Sequence, residues 1–341
     1  MPTRLAVFVA LLTPVSAQDL SDVVARVSPC VVTIRTSGTR LSGVAIPRLE
    51  PATRVGSGIV LTASGEVLTA AHVVAAADAI RVEFVDGSSR GAVIRAMEPR
   101  ADLALLRVQG DLPRSVTPGE LGDSDEVRVG NRVFVIGAPM DLERTLTVGY
   151  VSARRQDERF LGSMRFVEHL QTDAAINSGN SGSPVFDLRG RVVGIVCHIV
   201  TNGAGNEGLG FAVTSNAARR YLLDKPPVWL GVDAEFLPAE LAAALNVPGG
   251  RCGLLVTRVS PDSMASRAGL RGGALPVRIG SRDLLLGGDI VMGVDGRRIG
   301  GTRELEVAVA ELRGMKPEAE LRLSVLRGGE TIELLIRQCD R

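Results

Sequence analysis

Between Val31 and Val213 the apolar residues come in short runs or in strict alternation, as in Arg81-Val82-Glu83-Phe84 and Arg191-Val192-Val193-Gly194-Ile195-Val196. Gly, Pro, Asp and Asn break the runs. Many short strands separated by turn signals predict a sandwich or barrels. Helical spacing is confined to the flanks. Leu20, Val23, Val24 and Val27 fall at i, i+3, i+4 and i+7, which gives one apolar helix face that Pro29 ends. Ser215 is placed to cap a helix running through Asp224 that turns Ala218, Tyr221 and Leu222 inward. Lys225-Pro226-Pro227 then stops the helix and stiffens the chain at that point, so a domain boundary is expected there.

Beyond the boundary a second helix face is predicted from Leu305, Ala308, Val309 and Leu312, with Thr302 as cap and Gly314 as stop. Glu320 to Val325 alternates strictly, and Arg327-Gly328-Gly329-Glu330 turns the chain into Thr331 to Arg337, a hairpin signal. At the other end, Arg4, the apolar stretch Leu5 to Leu12 and the small residues of Val15-Ser16-Ala17 have the layout of a secretory leader. Cleavage after Ala17 is expected, with export to the periplasm or the cell exterior; an uncleaved tether is the other reading. The stretch is shorter than the roughly 20 residues needed to cross a bilayer, and no later segment qualifies as an integral membrane span.

Composition narrows the partners. The 341 residues are 45% hydrophobic, enough for two domains with cores of their own. The formal net charge is +1, so a nucleic acid or other polyanion is not indicated. Basic residues are almost all arginine, Lys225 and Lys316 being the only lysines, and they follow no patch. Cys30, Cys197, Cys252 and Cys339 form no C-x-x-C, so no metal site or redox motif is supported and no cofactor is expected. In an oxidising compartment Cys252 and Cys339 could staple the second domain; free buried thiols are equally consistent.

Asn177-Ser178-Gly179-Asn180-Ser181-Gly182-Ser183-Pro184-Val185 carries the chemistry. It surrounds the Ser181 hydroxyl with small residues and offers the Gly179-Asn180-Ser181 turn, through the N–H groups of Gly179 and Ser181, as an oxyanion hole. The same composition also makes an ordinary surface turn. A serine nucleophile needs a base, and the chain has three histidines. His72 follows an apolar strand that ends in a short helical turn, whereas His169 and His198 lie in strand-like runs and read as packing or surface residues. Asp102 opens Asp102-Leu103-Ala104-Leu105-Leu106, at the edge of a run that should be buried, where a carboxylate needs solvent or a partner. The order His72, Asp102, Ser181 is that of chymotrypsin-type enzymes, whereas the α/β-hydrolase elbow fails because Ser183 replaces its second glycine. Gly203 to Gly208 matches G-x-G-x-x-G, but no helix follows, so it reads as a mobile loop beside the pocket and not as a dinucleotide site.

Five blocks, Thr69-Ala70-Ala71-His72-Val73-Val74, Asp102 to Leu106, Gln171-Thr172-Asp173-Ala174-Ala175-Ile176-Asn177, Gly179 to Gly182 and Gly208-Leu209-Gly210-Phe211-Ala212-Val213, resemble in order and spacing those of the HtrA/Deg serine proteases. Ser183, where that family usually has glycine, is the departure. The resemblance implies a mainly β fold: two six-stranded antiparallel β-barrels of chymotrypsin type over residues 18–224, a linker at 225–228, and a PDZ domain over 229–339. It implies a serine endopeptidase acting on unfolded or damaged proteins. Ala175, six residues before Ser181, would stand at the base of an apolar substrate pocket with Ile176 and a wall of Leu209, Gly210 and Phe211. Leu230, Gly231 and Val232 would grip the carboxylate of a C-terminal peptide, whose strand would add near Leu254 to Val259. Arg154 to Arg165 would be the loop that senses the PDZ domain, Arg271 to Leu286 an insertion, and the assembly a homotrimer. The rival reading is a peptide-binding chaperone on an inactive protease scaffold.

Overall fold

The computed structural model describes the chain except for residues 1–18, 44–45, 139–143, 157–166, 200–206, 249–251, 281, 302, 305–306, 308–319 and 338–341. It is mainly β, with two closed antiparallel barrels of six strands each followed by a smaller sheet domain. The first barrel comprises β1 (Val31–Ser42), β2 (Arg48–Val60), β3 (Glu66–Ala70), β4 (Ala79–Glu83), β5 (Ser89–Glu98) and β6 (Leu103–Val108), joined in the order β1-β2-β3-β6-β5-β4. The second comprises β7 (Arg132–Gly137), β8 (Thr145–Arg155), β9 (His169–Thr172), β10 (Pro184–Phe186), β11 (Val192–Ile199) and β12 (Gly210–Thr214), in the order β10-β11-β12-β9-β8-β7. Closure leaves neither barrel with a free sheet edge.

Alternation along the strands sorts the side chains into separate cores. Val32, Ile34, Val67, Ala104 and Leu106 fill the first barrel, and Val133, Val135, Leu170, Ile176, Val193 and Ala212 fill the second. The residues one step out of phase make a third cluster between the barrels, where Ile59, Leu68, Leu103 and Leu105 meet Phe134, Phe186, Ile195 and Phe211. This layer carries the site at its rim. Helix α1 (Leu20–Val27), capped by Asp19 accepting from the Ser21 N–H at 3.1 Å, lays Val23 and Val27 on the same layer.

The helix after β12 starts one residue earlier than expected. Thr214, not Ser215, is the cap and accepts from the Ala217 N–H, while the Ser215 hydroxyl donates to the Gly122 carbonyl at 2.8 Å. Helix α2 (Ala71–Val74) follows β3, and α3 (Ser215–Ala218) runs into a wider turn over Arg219–Leu223 that buries Leu222.

In the C-terminal domain β13 (Val232–Leu237), β14 (Gly253–Val259), β17 (Ile290–Val294), β19 (Glu320–Arg327) and β20 (Glu330–Arg337) form the sheet in that order, with β18 (Arg297–Arg298) paired to β17. Helices α4 (Ala239–Ala244) and α5 (Met264–Arg267) pack against it. The β19–β20 hairpin pairs Arg327 with Glu330 across its turn. One expectation is overturned: β14 lies inside the sheet, paired along its length with β13 and at Leu254 and Leu255 with β17, so it is not the sheet's edge for an added strand. The sheet's edges among the described residues are β13 and β20, and β13 is the one that continues from Leu230-Gly231-Val232. Arg271 to Leu286 contributes a separate hairpin of β15 (Leu275–Ile279) and β16 (Arg282–Leu286), whose Arg278 donates to the Gly43 carbonyl of the first barrel. The helix expected over Leu305 to Leu312 falls outside the described residues, with its Thr302 cap and Gly314 stop. Cys30 and Cys197 are buried thiols and Cys252 is half-buried, all three free among the described residues; Cys339, the other half of the suggested pairing, lies outside them.

Candidate active site

The site is built at the seam of the barrels. The first barrel delivers His72 on α2, directly after β3, and Asp102 just before β6. β3 and β6 are paired side by side, Ala70 opposite Leu103, so residues remote in sequence arrive within one strand spacing. Asp102 takes left-handed backbone angles (φ 52°), which aspartate tolerates better than most residues. That twist lets it hold the His72 segment three ways. Its carbonyl accepts from the Ala71 N–H at 3.0 Å. Its Oδ1 accepts from the His72 main-chain N–H at 2.9 Å. Its Oδ2 meets His72 Nδ1 at 2.7 Å. Asp102 is buried, so these bonds stand in for the water it has lost. With Nδ1 committed to the carboxylate, Nε2 is the nitrogen left for a reacting proton.

The second barrel delivers Ser181 on the turn before β10. Gly179 (φ 98°) and Gly182 (φ 83°) both need positive φ here, and a Cβ on Gly182 would lie 2.2 Å from the Ser57 carbonyl and from Thr69 Oγ1. Main-chain bonds lock the turn: Asn180 N–H to Asn177 O (3.0 Å), Ser183 N–H to Asn180 O (2.9 Å) and Gly182 N–H to Val196 O (2.7 Å). The N–H groups of Gly179 and Ser181 take no main-chain partner among the described residues. They are therefore open to an oxyanion. Asn180 is buried, and its side chain points inward rather than at the cleft. The Ser181 hydroxyl likewise has no hydrogen-bond partner among the described residues, which leaves it free to serve as a nucleophile.

Of the expected pocket residues, Ile176 and Gly210 come together, since a Cβ on Gly210 would lie 2.5 Å from Ile176 Cδ1. Ala175 is exposed at the rim and Leu209 is half-buried. Phe211 departs from its expected part in the wall: its ring stacks on His198 at 4.8 Å between centroids and packs into the layer between the barrels.

His169 and His198, which the sequence suggests to be packing or surface residues, pack together behind the site. His198 lies beside a β-bulge in β11, where the register shifts between Val196 and His198. The Sγ of Cys197 lies 3.1 Å from His198 Nδ1, and the His169 ring stands edge-on to His198 at 5.9 Å. Burial, then the charge of Asp102, pushes the Cys197 thiol far up, so it is no nucleophile. Burial chiefly, and then His198, pushes His169 down to about 4; burial lowers His198 as well. The only signal in the sequence was the scarcity of histidine.

In the C-terminal domain Gly231 (φ 76°) is hemmed in by Ser263, and its carbonyl accepts from the Ser260 N–H at 2.8 Å. Leu230 O accepts from the Ala265 N–H at 3.0 Å. Leu230 and Val232 pack on this domain's core, and Trp229 on the core of the first barrel. Nearby, Arg258 pairs with Asp78 at 2.6 Å, a second tie between the domains. Most of the loop from Arg154 to Arg165, and Gly203 to Asn206 of the glycine-rich loop, lie outside the described residues; Arg154 itself binds Glu168 at 2.7 Å.

Comparison with known proteins agrees with this geometry. A family model described as a trypsin-like peptidase domain matches residues 56–195. The chain is 31% identical over 337 residues to the periplasmic pH-dependent serine endoprotease DegQ of Escherichia coli (strain K12), covering 93% of this chain and 69% of that protein. It is 32% identical to the mitochondrial serine protease HTRA2 of Bos taurus, covering 93% and 66%. A probable periplasmic serine endoprotease DegP-like from Ectopseudomonas mendocina is 36% identical over 266 residues, of whose length the chain spans 55%. Among solved structures, the HtrA-type protease AlgW with a tripeptide aligns at TM-score 0.54 and 29% identity, over 94% of this chain and 96% of that one. The same protease with a decapeptide aligns at TM-score 0.53 and 28% identity, over 94% and 98%.

Proposed function

Because the chain belongs to the HtrA family of serine endopeptidases, we propose that it cleaves unfolded or damaged proteins with Ser181 as nucleophile, His72 as base and Asp102 as the residue that orients the base. Ser181 Oγ attacks the scissile carbonyl while His72 Nε2 takes its proton. The N–H groups of the Gly179-Asn180-Ser181 turn hold the oxyanion. His72 returns the proton to the leaving amine, and water activated by the same nitrogen releases the acyl group. One observation carries the reading: Asp102 commits Nδ1 and the main chain of His72 together, which leaves a single nitrogen to serve the serine.

The contact of Ile176 with Gly210 supports a shallow apolar pocket with Ala175 at its mouth, suited to Val, Ala or Leu at P1. For the C-terminal domain the proposed ligand is a peptide with a free carboxylate at Leu230-Gly231-Val232, its strand added along the open edge of β13. That HtrA-type neighbours are described with a tripeptide and a decapeptide is consistent with peptide ligands. The leader-like N-terminus and the periplasmic relatives favour export; no described helix is long and apolar enough to cross a membrane. A homotrimer remains a proposal from resemblance.

The test is labelling with a serine-directed fluorophosphonate, run beside a peptide-library cleavage profile. Labelling of the wild type and none of Ser181→Ala is expected, with aliphatic residues dominating P1. Equal labelling of both would refute the assignment of Ser181, and a P1 profile led by arginine would refute the pocket.

A further inference from the structure

Ser57, in β2 of the first barrel, has no assigned part in catalysis, yet it makes four hydrogen bonds around the turn that carries Ser181. Its N–H donates to the Ser181 carbonyl at 2.8 Å. Its hydroxyl donates to the Gly179 carbonyl at 2.9 Å and accepts from the Ala138 N–H at 3.0 Å, at the end of β7. Its own carbonyl accepts from Thr69 Oγ1 at 2.7 Å, three residues before His72. Ser57 is fully buried.

We infer that Ser57 is the positioning residue of the oxyanion hole, its hydroxyl fixing the Gly179 peptide so that the Gly179 and Ser181 N–H groups face the developing charge together. The two donors lie on either side of Asn180, and rotation of the plane between them would turn a carbonyl, a negative dipole, toward the oxyanion. Glycine at positive φ carries no Cβ to resist that rotation, so the plane is held only at its ends: the Asn180 N–H by the Asn177 carbonyl at 3.0 Å and the Gly179 carbonyl by Ser57. Among the described residues Asn180 gives the turn only a distant bond, Nδ2 to the Ala175 carbonyl at 3.5 Å, and its Oδ1 has no partner. The Ser57 hydroxyl is thus the one short side-chain bond to a hole-forming residue among the described residues. It also ties three pieces of the site together: β2, the end of β7 and the nucleophile turn. Main-chain bonds alone would fix Ser181 but leave the carbonyl of Gly179 without a donor.

Ser183 provides an internal control. It is fully buried in the same layer, and a Cβ on Gly137 would lie 2.2 Å from its Oγ and 3.1 Å from that of Ser57. Yet its hydroxyl has no hydrogen-bond partner among the described residues. Removing it deletes a buried polar atom without unfastening anything.

The inference rests on the proposed Ser181 mechanism. Its experiment measures kcat and KM on an aliphatic-P1 peptide, and the inhibition constant of a peptidyl trifluoromethyl ketone, for wild type, Ser57→Ala, Ser57→Thr and Ser183→Ala. For Ser57→Ala kcat is expected to fall roughly 10- to 100-fold, somewhat less than deletion of an oxyanion donor itself. KM should stay within about threefold, and the ketone should weaken by the same factor as kcat, since both report transition-state binding. Ser57→Thr, which keeps the hydroxyl, should recover most of the loss, and Ser183→Ala should stay within about twofold of wild type. Should Ser57→Ala melt too early to assay, the ratio of ketone affinity to KM in Ser57→Thr and Ser57→Cys carries the test, with Cys the weaker because its S–H is a poor donor. An unchanged kcat, an equal loss in Ser183→Ala, or a loss confined to KM or to thermal stability would overturn the role of Ser57 while leaving the triad untouched. An inactive wild type would sink the underlying mechanism instead.

Discussion

The two barrels hold their halves of the proposed site by different means. The first fixes His72 with a side chain: one buried carboxylate takes both the ring and the main-chain N–H, and the same residue's carbonyl takes the N–H before them. The second fixes Ser181 with its backbone, through two glycines at positive φ and a ladder of main-chain bonds from Asn177 to Val196. Side-chain control concentrates the risk in one residue and one charge. Backbone control spreads it over positions where any added atom is harmful. Conservative replacements should therefore fail for electronic reasons on the first side and for steric reasons on the second.

The largest effect that tests this contrast is Asp102→Asn. An amide in that place sets an NH2 group against one of the two His72 N–H groups and favours the wrong tautomer, so kcat is expected to fall by about 10⁴. Folding should survive, because the Ala71 bond to the residue's carbonyl is kept. A melting curve beside steady-state kinetics decides it: activity within tenfold of wild type would mean that the carboxylate is not what orients the base.

Gly182→Ala is the matching test on the second side. The new Cβ would sit 2.2 Å from two oxygens of the first barrel, at a φ of 83° that alanine resists. Crowding and backbone strain together should cost about 3 kcal/mol of stability, and the displaced nucleophile roughly 100-fold in kcat. A variant that folds and cleaves normally would show the turn to be looser than its bonds suggest.

A third test lies behind the site, in β9. His169 is buried and held neutral, its proton affinity lowered to about 4 against an unfolded value near 6.5. The unfolded chain therefore binds the extra proton first as pH falls. The stability this group lends is complete above about pH 6.5 and is lost between 6.5 and 4, by about 3 kcal/mol in full. Facing it are His198, itself lowered, with the charges of Asp102 and Glu168 acting weakly in the opposite sense. His169→Phe, of similar volume, should flatten the acid limb of the stability curve over that window. An unchanged acid limb would place the sensitivity elsewhere.

The contrast between the barrels also explains what the sequence could reveal. His72, Asp102 and Ser181 each stand in local patterns that announce them: a strand running into a helical turn, a charge at the edge of an apolar run, a serine among glycines. The alternating strands predicted a sandwich or barrels, the resemblance to the HtrA/Deg proteases implied two six-stranded barrels, and two closed six-stranded barrels are found. Ser57 had no such signature, because its value lies in four partners contributed by other strands, and strand registers are long-range facts. His198 packs, as its strand-like run suggested, but its partner Phe211 was not legible, since a bulge in β11 re-aims its neighbours and bulges leave little trace in a period of two. The added-strand edge was placed at Leu254 to Val259 by resemblance, and nothing in the run Gly253 to Val259 marks it as edge or interior; only the pairing of β14 with both β13 and β17 shows it to be internal.

The smallest effect sharpens the comparison most. Arg54, on β2, donates from Nη1 to the His72 carbonyl at 2.7 Å and looks like a further brace for the base. It is an exposed bond, however, and water can replace the guanidinium at that carbonyl. If Asp102 alone secures the base, Arg54→Ala should lower kcat by no more than about threefold, a cost below about 1 kcal/mol. The same change made beside Asp102→Asn should then be additive, because two braces that act independently show no coupling energy. A hundredfold loss from Arg54→Ala alone, or strong coupling in the double variant, would mean that the first barrel shares the burden among several groups. It would then hold its half of the site much as the second barrel does.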